Sequence, residues 1–152
     1  MAAELTIRQM IASDIDHIIA TFFVWHKTRP QYERYFTEQQ LGKRIVLLAC
    51  FGPKVVGYGT LLWHSRYEPH RLAGIPEIVD LNVISEHQRQ GIGTALITAL
   101  ERTASQHGKP VVGIGVEQTP PYAAARRLYP KLGYQPDGLH KICNVLYLSK
   151  QL

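Results

Sequence analysis

Gly91 and Gly93, set between a strand-like run and a helical one, are the residues of this sequence best suited to hold a ligand. The stretch Pro76 to Val83 reads as a strand, Ile84 to Gln90 as a loop, and Gly91-Ile92-Gly93 as a helix entry. The first amides of a helix have no intrahelical acceptor, and the helix dipole favours negative charge there. Glycines let a ligand approach that backbone closely, and Arg89 adds a cation beside it. The chemistry implied is capture of a phosphate group. Two carboxylates lie upstream. In a regular strand Glu77 shares a face with Val79, Leu81 and Val83, while Asp80 shares one with Ile78 and Asn82, so the carboxylates point to opposite faces unless a bulge intervenes.

The elements that must position these residues follow from periodicity. Leu5 to Met10 alternates as a first strand. Ser13 or Asp14 caps a helix carrying Ile15, Ile18, Ile19, Phe22 and Phe23, which Arg29-Pro30 breaks. A polar helix covers Tyr32 to Leu41 and ends at Gly42. Strands at Arg44–Phe51 and Val55–Trp63 flank the Gly52-Pro53-Lys54 turn. Ser65 to Gly74 reads as an exposed loop before the central strand. Ile92, Ala95, Leu96, Ala99 and Leu100 form a buried stripe on the next helix. Val111 to Val116 is a strand buried on both faces. Pro120-Pro121 opens a last helix, on which Ala125, Leu128, Tyr129 and Leu132 share a face, and short strands follow at Tyr134-Gln135 and Ile142–Leu148. The order β-α-α-β-β-β-α-β-α-β-β predicts an α/β chain (α+β in some schemes) with helices on both sheet faces.

With 152 residues, 45% hydrophobic and 19% charged, the chain reads as one globular domain over 1–152. The net charge of +5 suits an anionic ligand. Its basic residues are scattered, with no run longer than Arg126-Arg127, so nucleic acid is not the expected partner. Cys50 and Cys143 sit in apolar stretches and read as reduced and buried, the habit of a cytoplasmic protein. No apolar run reaches the roughly 18 residues of a membrane span. The histidines show no metal spacing, and His64, His70 and His87 read as solvated; no metal is expected.

The glycine loop fits neither of two familiar phosphate binders. A Rossmann fingerprint wants a small residue where Leu96 stands, and a P-loop wants a Gly-Lys-Ser/Thr that the chain lacks. Gln88-Arg89-Gln90-Gly91-Ile92-Gly93 instead resembles the Gln/Arg-x-x-Gly-x-Gly/Ala pyrophosphate loop of the GCN5-related N-acetyltransferases, the GNAT superfamily. Asp80-Leu81-Asn82-Val83 resembles the end of that family's fourth strand. Ala125 to Tyr134 resembles its Ala-x-x-Leu-Tyr-x-Lys-x-Gly-Phe/Tyr segment. The element order matches as well.

The resemblance implies a mixed, mostly antiparallel sheet of about seven strands with four helices on both faces. It implies acetyl-CoA as acetyl donor, its pantetheine arm paired with the backbone of Leu81, Asn82 and Val83. Its pyrophosphate would lie on the loop Gln88, Arg89, Gln90, Gly91, Ile92, Gly93 and Thr94. The reaction implied is direct attack by a primary amine of a small molecule or peptide within a ternary complex, with no Cys or Ser nucleophile. Tyr129 matches the family's leaving-group acid. Glu77, eleven residues before Gln88, has the offset of the catalytic glutamate in the histone acetyltransferase branch; Asp80 and a water chain are the alternative bases. Tyr122 stands where the family commonly has an Asn against the cofactor arm, and Pro130 interrupts the helix just after Tyr129.

The first two helices, Ser65 to Gly74 and the C-terminal strands would form the acceptor side. Trp25, His26, Tyr32, Tyr35, Trp63 and Tyr67 could supply an aromatic wall for a small amine. The basic, aromatic character of this region argues against a polycationic acceptor. No membrane partner is expected, and a homodimer is allowed. The alternative from a different class is a non-catalytic GNAT-fold acyl-CoA-binding or regulatory module.

Overall fold

The computed structural model describes residues 3–22, 28–140 and 144–152. Its strands are β1 Leu5–Gln9, β2 Arg44–Phe51, β3 Lys54–Leu62, β4 Glu77–Val83, β5 Val111–Glu117, β6 Gln135–His140 and β7 Val145–Gln151. They form one seven-stranded sheet in the order β1-β2-β3-β4-β5-β7-β6. All neighbours are antiparallel except β4 and β5. The helices are α1 Asp14–Thr21, α2 Arg29–Gln40, α3 Glu68–Leu72, α4 Ile92–Gln106 and α5 Ala123–Lys131. The mixed α/β architecture is the expected one, with five helices where four were expected. The additional one, α3, has five residues and stands inside the expected loop.

Alternation along β2 divides the core in two. Val46, Leu48 and Cys50 face α1 and α2, where they meet Ile15, Ile18, Phe22, Tyr32 and Tyr35. Leu47 and Ala49 face the other way, toward Ile92, Leu96, Ile97 and Leu100 of α4 and Tyr129 of α5. Each fully buried aliphatic side chain of that stripe contributes roughly 1.5–3 kcal/mol. Close approach of α4 depends on Gly59, where a Cβ would lie 2.9 Å from Leu81 Cδ1 and 3.1 Å from Leu100 Cδ1.

Several boundaries move from their expected places for physical reasons. Arg29-Pro30 opens α2 rather than closing α1, since proline fits the first helical positions, where its missing N–H costs nothing. Neither Ser13 nor Asp14 caps α1 with its side chain; the Asp14 carboxylate instead looks back along the chain, accepting the Ile11 N–H at 2.8 Å and forked by Arg8 at 2.8 and 2.7 Å. The Arg8 hydrogen bond holds that carboxyl below the usual range, against an opposing push from burial. β6 runs on to His140 through Pro136 and Gly138, because pairing with β7 overrides their turn preference by a register shift. Cys50 is buried and free. Phe23, Trp25, His26, Ile142 and Cys143 lie outside the described residues.

Candidate active site

β4 and β5 pair only at Glu77↔Gly113 and Ile78↔Ile114. Beyond that register β4 stays with β3, and β5 stays with β7. Among the described residues, the edge of Val79 to Val83 that faces β5 has no strand partner, so the sheet opens as a V. An extended ligand could add itself there as a strand.

A bulge sits just past the point where β4 and β5 part. Between the pairs Thr60↔Val79 and Tyr58↔Asn82, both Asp80 and Leu81 oppose Gly59, and Asp80 takes φ 55°. The extra residue corrects the expected facing of β4. Leu81 packs with Ile78 and Val83 on the α4 side, while Asp80 turns to the α2 side with Glu77, Val79 and Asn82. Both carboxylates therefore occupy one face.

They are held differently. Asp80 Oδ2 accepts the Tyr35 hydroxyl at 2.8 Å and lies 3.6 Å from Arg44 Nη1. Arg44, only 2% exposed, is further compensated by Glu38 at 2.6 Å and donates to Thr60 Oγ1 at 2.7 Å. Its guanidinium also lies 4.2 Å from the centre of the Tyr35 ring. Glu77 is 4% exposed, and its Oε1 accepts the Ser65 hydroxyl at 2.6 Å and the Arg66 N–H at 3.1 Å.

At the open end of the V, a single 3-10 turn at Ser85–His87 leads to the glycine loop. Arg89 and Gly91 are both left-handed, at φ 64° and 79°. The first helical bond is Ala95 N–H to Gly91 O at 2.9 Å, so the amides of Ile92, Gly93 and Thr94 have no intrahelical acceptor. Nothing lies within 4 Å of where a Cβ would stand on Gly91 or Gly93. The loop thus offers an open, amide-lined cradle, and Gln88 ties it to the strand end by donating to Val83 O at 3.0 Å.

On the β5 side, Arg126 Nη1 donates to Glu117 O at 2.9 Å and to Thr119 O at 2.7 Å, pinning the start of α5 to the end of β5. Tyr129 is 7% exposed within the α4-side core. Its hydroxyl has no hydrogen-bond partner among the described residues. Burial, helped by Tyr122, pushes this phenol up to about 12. Tyr122 itself is exposed. Pro130 is the penultimate residue of α5, so it removes a bond only in the last turn. Leu132 N–H still reaches Leu128 O at 3.2 Å, and Tyr134 N–H reaches Tyr129 O at 3.1 Å.

The described residues of the expected aromatic wall are mostly core. Tyr32 and Tyr35 form the buried face of α2, and Trp63 packs on the α4 side with its ring 4.7 Å from His107. His64 is exposed, and His87 is half-buried 5.3 Å from the Phe51 ring. His70 corrects the solvated reading: it is buried, with Nε2 at 2.8 Å from Asp137. Sequence reasoning missed Arg44, Ser65, Asp137 and Tyr147. A lone arginine opening an otherwise apolar strand was the one available signal.

Residues 12–134 match the model of the acetyltransferase (GNAT) family, and the chain belongs to that family. Solved structures superpose along nearly its whole length. PaiA N-acetyltransferase from Thermoplasma acidophilum, in complex with coenzyme A, is 13% identical with a TM-score of 0.78, covering 98% of this chain and 99% of that one. Ribosomal-protein-alanine N-acetyltransferase from Brucella melitensis is 20% identical with a TM-score of 0.77, covering 97% and 99%. YncA from Salmonella typhimurium, with its cofactor acetyl-CoA, is 22% identical with a TM-score of 0.76, covering 99% and 95%. At these identities the likeness is one of fold. No curated protein gives a significant sequence match. No helix among the described residues is long and apolar enough to cross a membrane.

Proposed function

We propose that residues 1–152 form a single acetyltransferase domain that moves the acetyl group of acetyl-CoA onto a primary amine of a small molecule or peptide, by direct attack in a ternary complex. The observation that carries this reading is the V between β4 and β5, with an open glycine cradle at its mouth. The residues present fit the donor. The amides of Ile92, Gly93 and Thr94, with Gln88, Arg89, Gln90 and Gly91 around them, receive a pyrophosphate. The free edge at Leu81, Asn82 and Val83 pairs with the amides of the pantetheine arm, and Tyr122 borders it.

Acetyl-CoA supplies an activated thioester, so the protein needs to orient the amine, accept its proton and stabilise the departing thiolate. Tyr129, protonated across neutral pH, donates to that thiolate from the β5 side. A phenol pushed up to about 12 is a weaker acid than a thiol near 8.5, so its main contribution is a hydrogen bond to the developing anion. Asp80, which the bulge turns onto the acceptor face beyond the point where the strands part, receives the amine proton directly or through water. Tyr35 and Arg44 fix its orientation.

Thiol release from acetyl-CoA across a panel of primary amines tests this reading. The expected result is one CoA released per N-acetylated product. Tight CoA binding with no turnover on any amine would assign the chain to a non-catalytic acyl-CoA-binding role.

A further inference from the structure

Among the described residues, Glu77, Tyr147 and Asp137 fasten the segment from Ser65 to Gly74 across the sheet face opposite α4. Its start is held by Glu77, whose Oε1 takes both the Ser65 hydroxyl and the Arg66 N–H. Ser65 Oγ in turn accepts the Tyr67 N–H at 3.0 Å, so one carboxylate oxygen organises three consecutive residues. In the middle, the Tyr67 ring stacks on Tyr147 with centroids 4.0 Å apart and planes 2° from parallel. Farther on, His70 bonds Asp137 at 2.8 Å. Two glycines of β5 make the room: Gly113 for His70 of the strap, and Gly115 for the Tyr147 ring on which Tyr67 stacks. A Cβ on Gly113 would lie 2.5 Å from His70 Nδ1, and one on Gly115 would lie 2.8 Å from Tyr147 Cε1.

The strap crosses the face at a functional place. Glu77 pairs with Gly113 at one of the last two registers before β4 and β5 part, and Asp80 lies three residues farther on with Tyr35 of α2. The opening of the V on that face is therefore flanked by α2 on one side and the strap on the other. Glu77 is the link between the strap and the strand that carries Asp80.

We propose that Glu77 is a positioning residue: it clamps the strap as one wall of the amine site and does not itself take the amine proton. The carboxylate is buried, and Oε1 already receives two donors, so half of it is committed to holding the strap. Its value to the reaction lies in fixing Arg66 and Tyr67 beside the acceptor. This inference rests on the acetyltransferase reading above for its kinetic consequences, and on the hydrogen bonds alone for its structural ones.

Glu77→Gln and Glu77→Ala separate a clamp from a base, because glutamine keeps an acceptor oxygen for Ser65 and Arg66 while removing the ionisable group. Hydrogen exchange at the Arg66 and Tyr67 amides in the protein without ligand reads the clamp directly. Protection falls by about tenfold or more in Glu77→Ala and is kept in Glu77→Gln. In steady-state kinetics, Glu77→Ala raises KM for the amine by about tenfold with KM for acetyl-CoA little changed. Glu77→Gln restores the amine KM and keeps the pH profile of kcat. Ser65→Ala repeats the loss of protection at Tyr67 should Glu77→Ala fold poorly. A fall in kcat of about 100-fold in Glu77→Gln, with the acid limb of the pH profile gone, would make Glu77 the base and overturn the proposal. Unchanged protection in both Glu77→Ala and Ser65→Ala would overturn it equally. The exchange result holds whether or not the wild-type protein turns over an amine, so a failed clamp and a failed acetyltransferase reading are distinguishable.

Discussion

Replacing Tyr129 with phenylalanine lowers kcat by about 100-fold, or roughly 2.7 kcal/mol, while CoA affinity and thermal stability stay near their starting values. The separation follows from how the side chain is held. Its ring is buried in the α4-side core and contributes packing that phenylalanine reproduces. Its hydroxyl has no partner among the described residues, so removing it orphans no other group. What is lost is the hydrogen bond to a developing thiolate, an interaction absent from the ground state, and such a loss falls on kcat rather than on binding. Steady-state kinetics beside a CoA titration measures this. An unchanged kcat would reduce Tyr129 to a core aromatic. Because the phenol is pushed up to about 12, the wild-type protein keeps its proton donor until strongly alkaline pH.

Gly93→Val separates ligand binding from folding in the other direction. Gly93 is within the first turn of α4, and nothing lies within 4 Å of its Cβ position. A Cβ there meets no atom beyond its own helical turn, and glycine is the poorer helix former, so the melting temperature of the free protein holds or rises slightly. The same space is where a pyrophosphate must approach the amides of Ile92 to Thr94. An isopropyl group in it weakens CoA binding by about 100-fold, near 2.7 kcal/mol. Gly91→Ala provides the contrast. At φ 79° that residue is strained by any Cβ, so alanine costs about 1–2 kcal/mol of folding stability before a ligand is considered. Calorimetric titration with CoA and a thermal melt of each variant distinguish blocked approach from backbone strain. Undiminished affinity in Gly93→Val would remove the cradle from the account.

Much of this arrangement is legible in the sequence because it depends on local signals. The strand–glycine–helix passage at Val83 to Gly93 is spelled by residues adjacent in the chain, and so is the stripe of α4. The first five strands follow from alternation, an apolar run and the turns between them. What is not legible depends on partners distant in sequence. The bulge at Asp80 forms opposite Gly59, and nothing in Glu77 to Val83 alone reveals that the strand gains a residue there. Alternation consequently places Asp80 and Glu77 on opposite faces, when the fold puts them on one.

The segment from Ser65 to Gly74 misleads for a related reason. Arg66, Glu68 and Arg71 are charged and solvent-facing, which makes the stretch read as an exposed loop. Their neighbours Ser65, Tyr67 and His70 are buried against Glu77, Tyr147 and Asp137. β6 is similarly hidden: Gln135-Pro136-Asp137-Gly138 has the composition of a turn, and only its neighbour β7 makes it a strand.

A structure of the protein with CoA tests the central claim most directly. The account places the pyrophosphate on the amides of Ile92, Gly93 and Thr94, the pantetheine arm along Leu81 to Val83, and the sulfur in the V within hydrogen-bonding reach of the Tyr129 hydroxyl, with Asp80 approaching from the α2-side face. CoA bound away from the V between β4 and β5, or with its sulfur turned away from Tyr129, would contradict it.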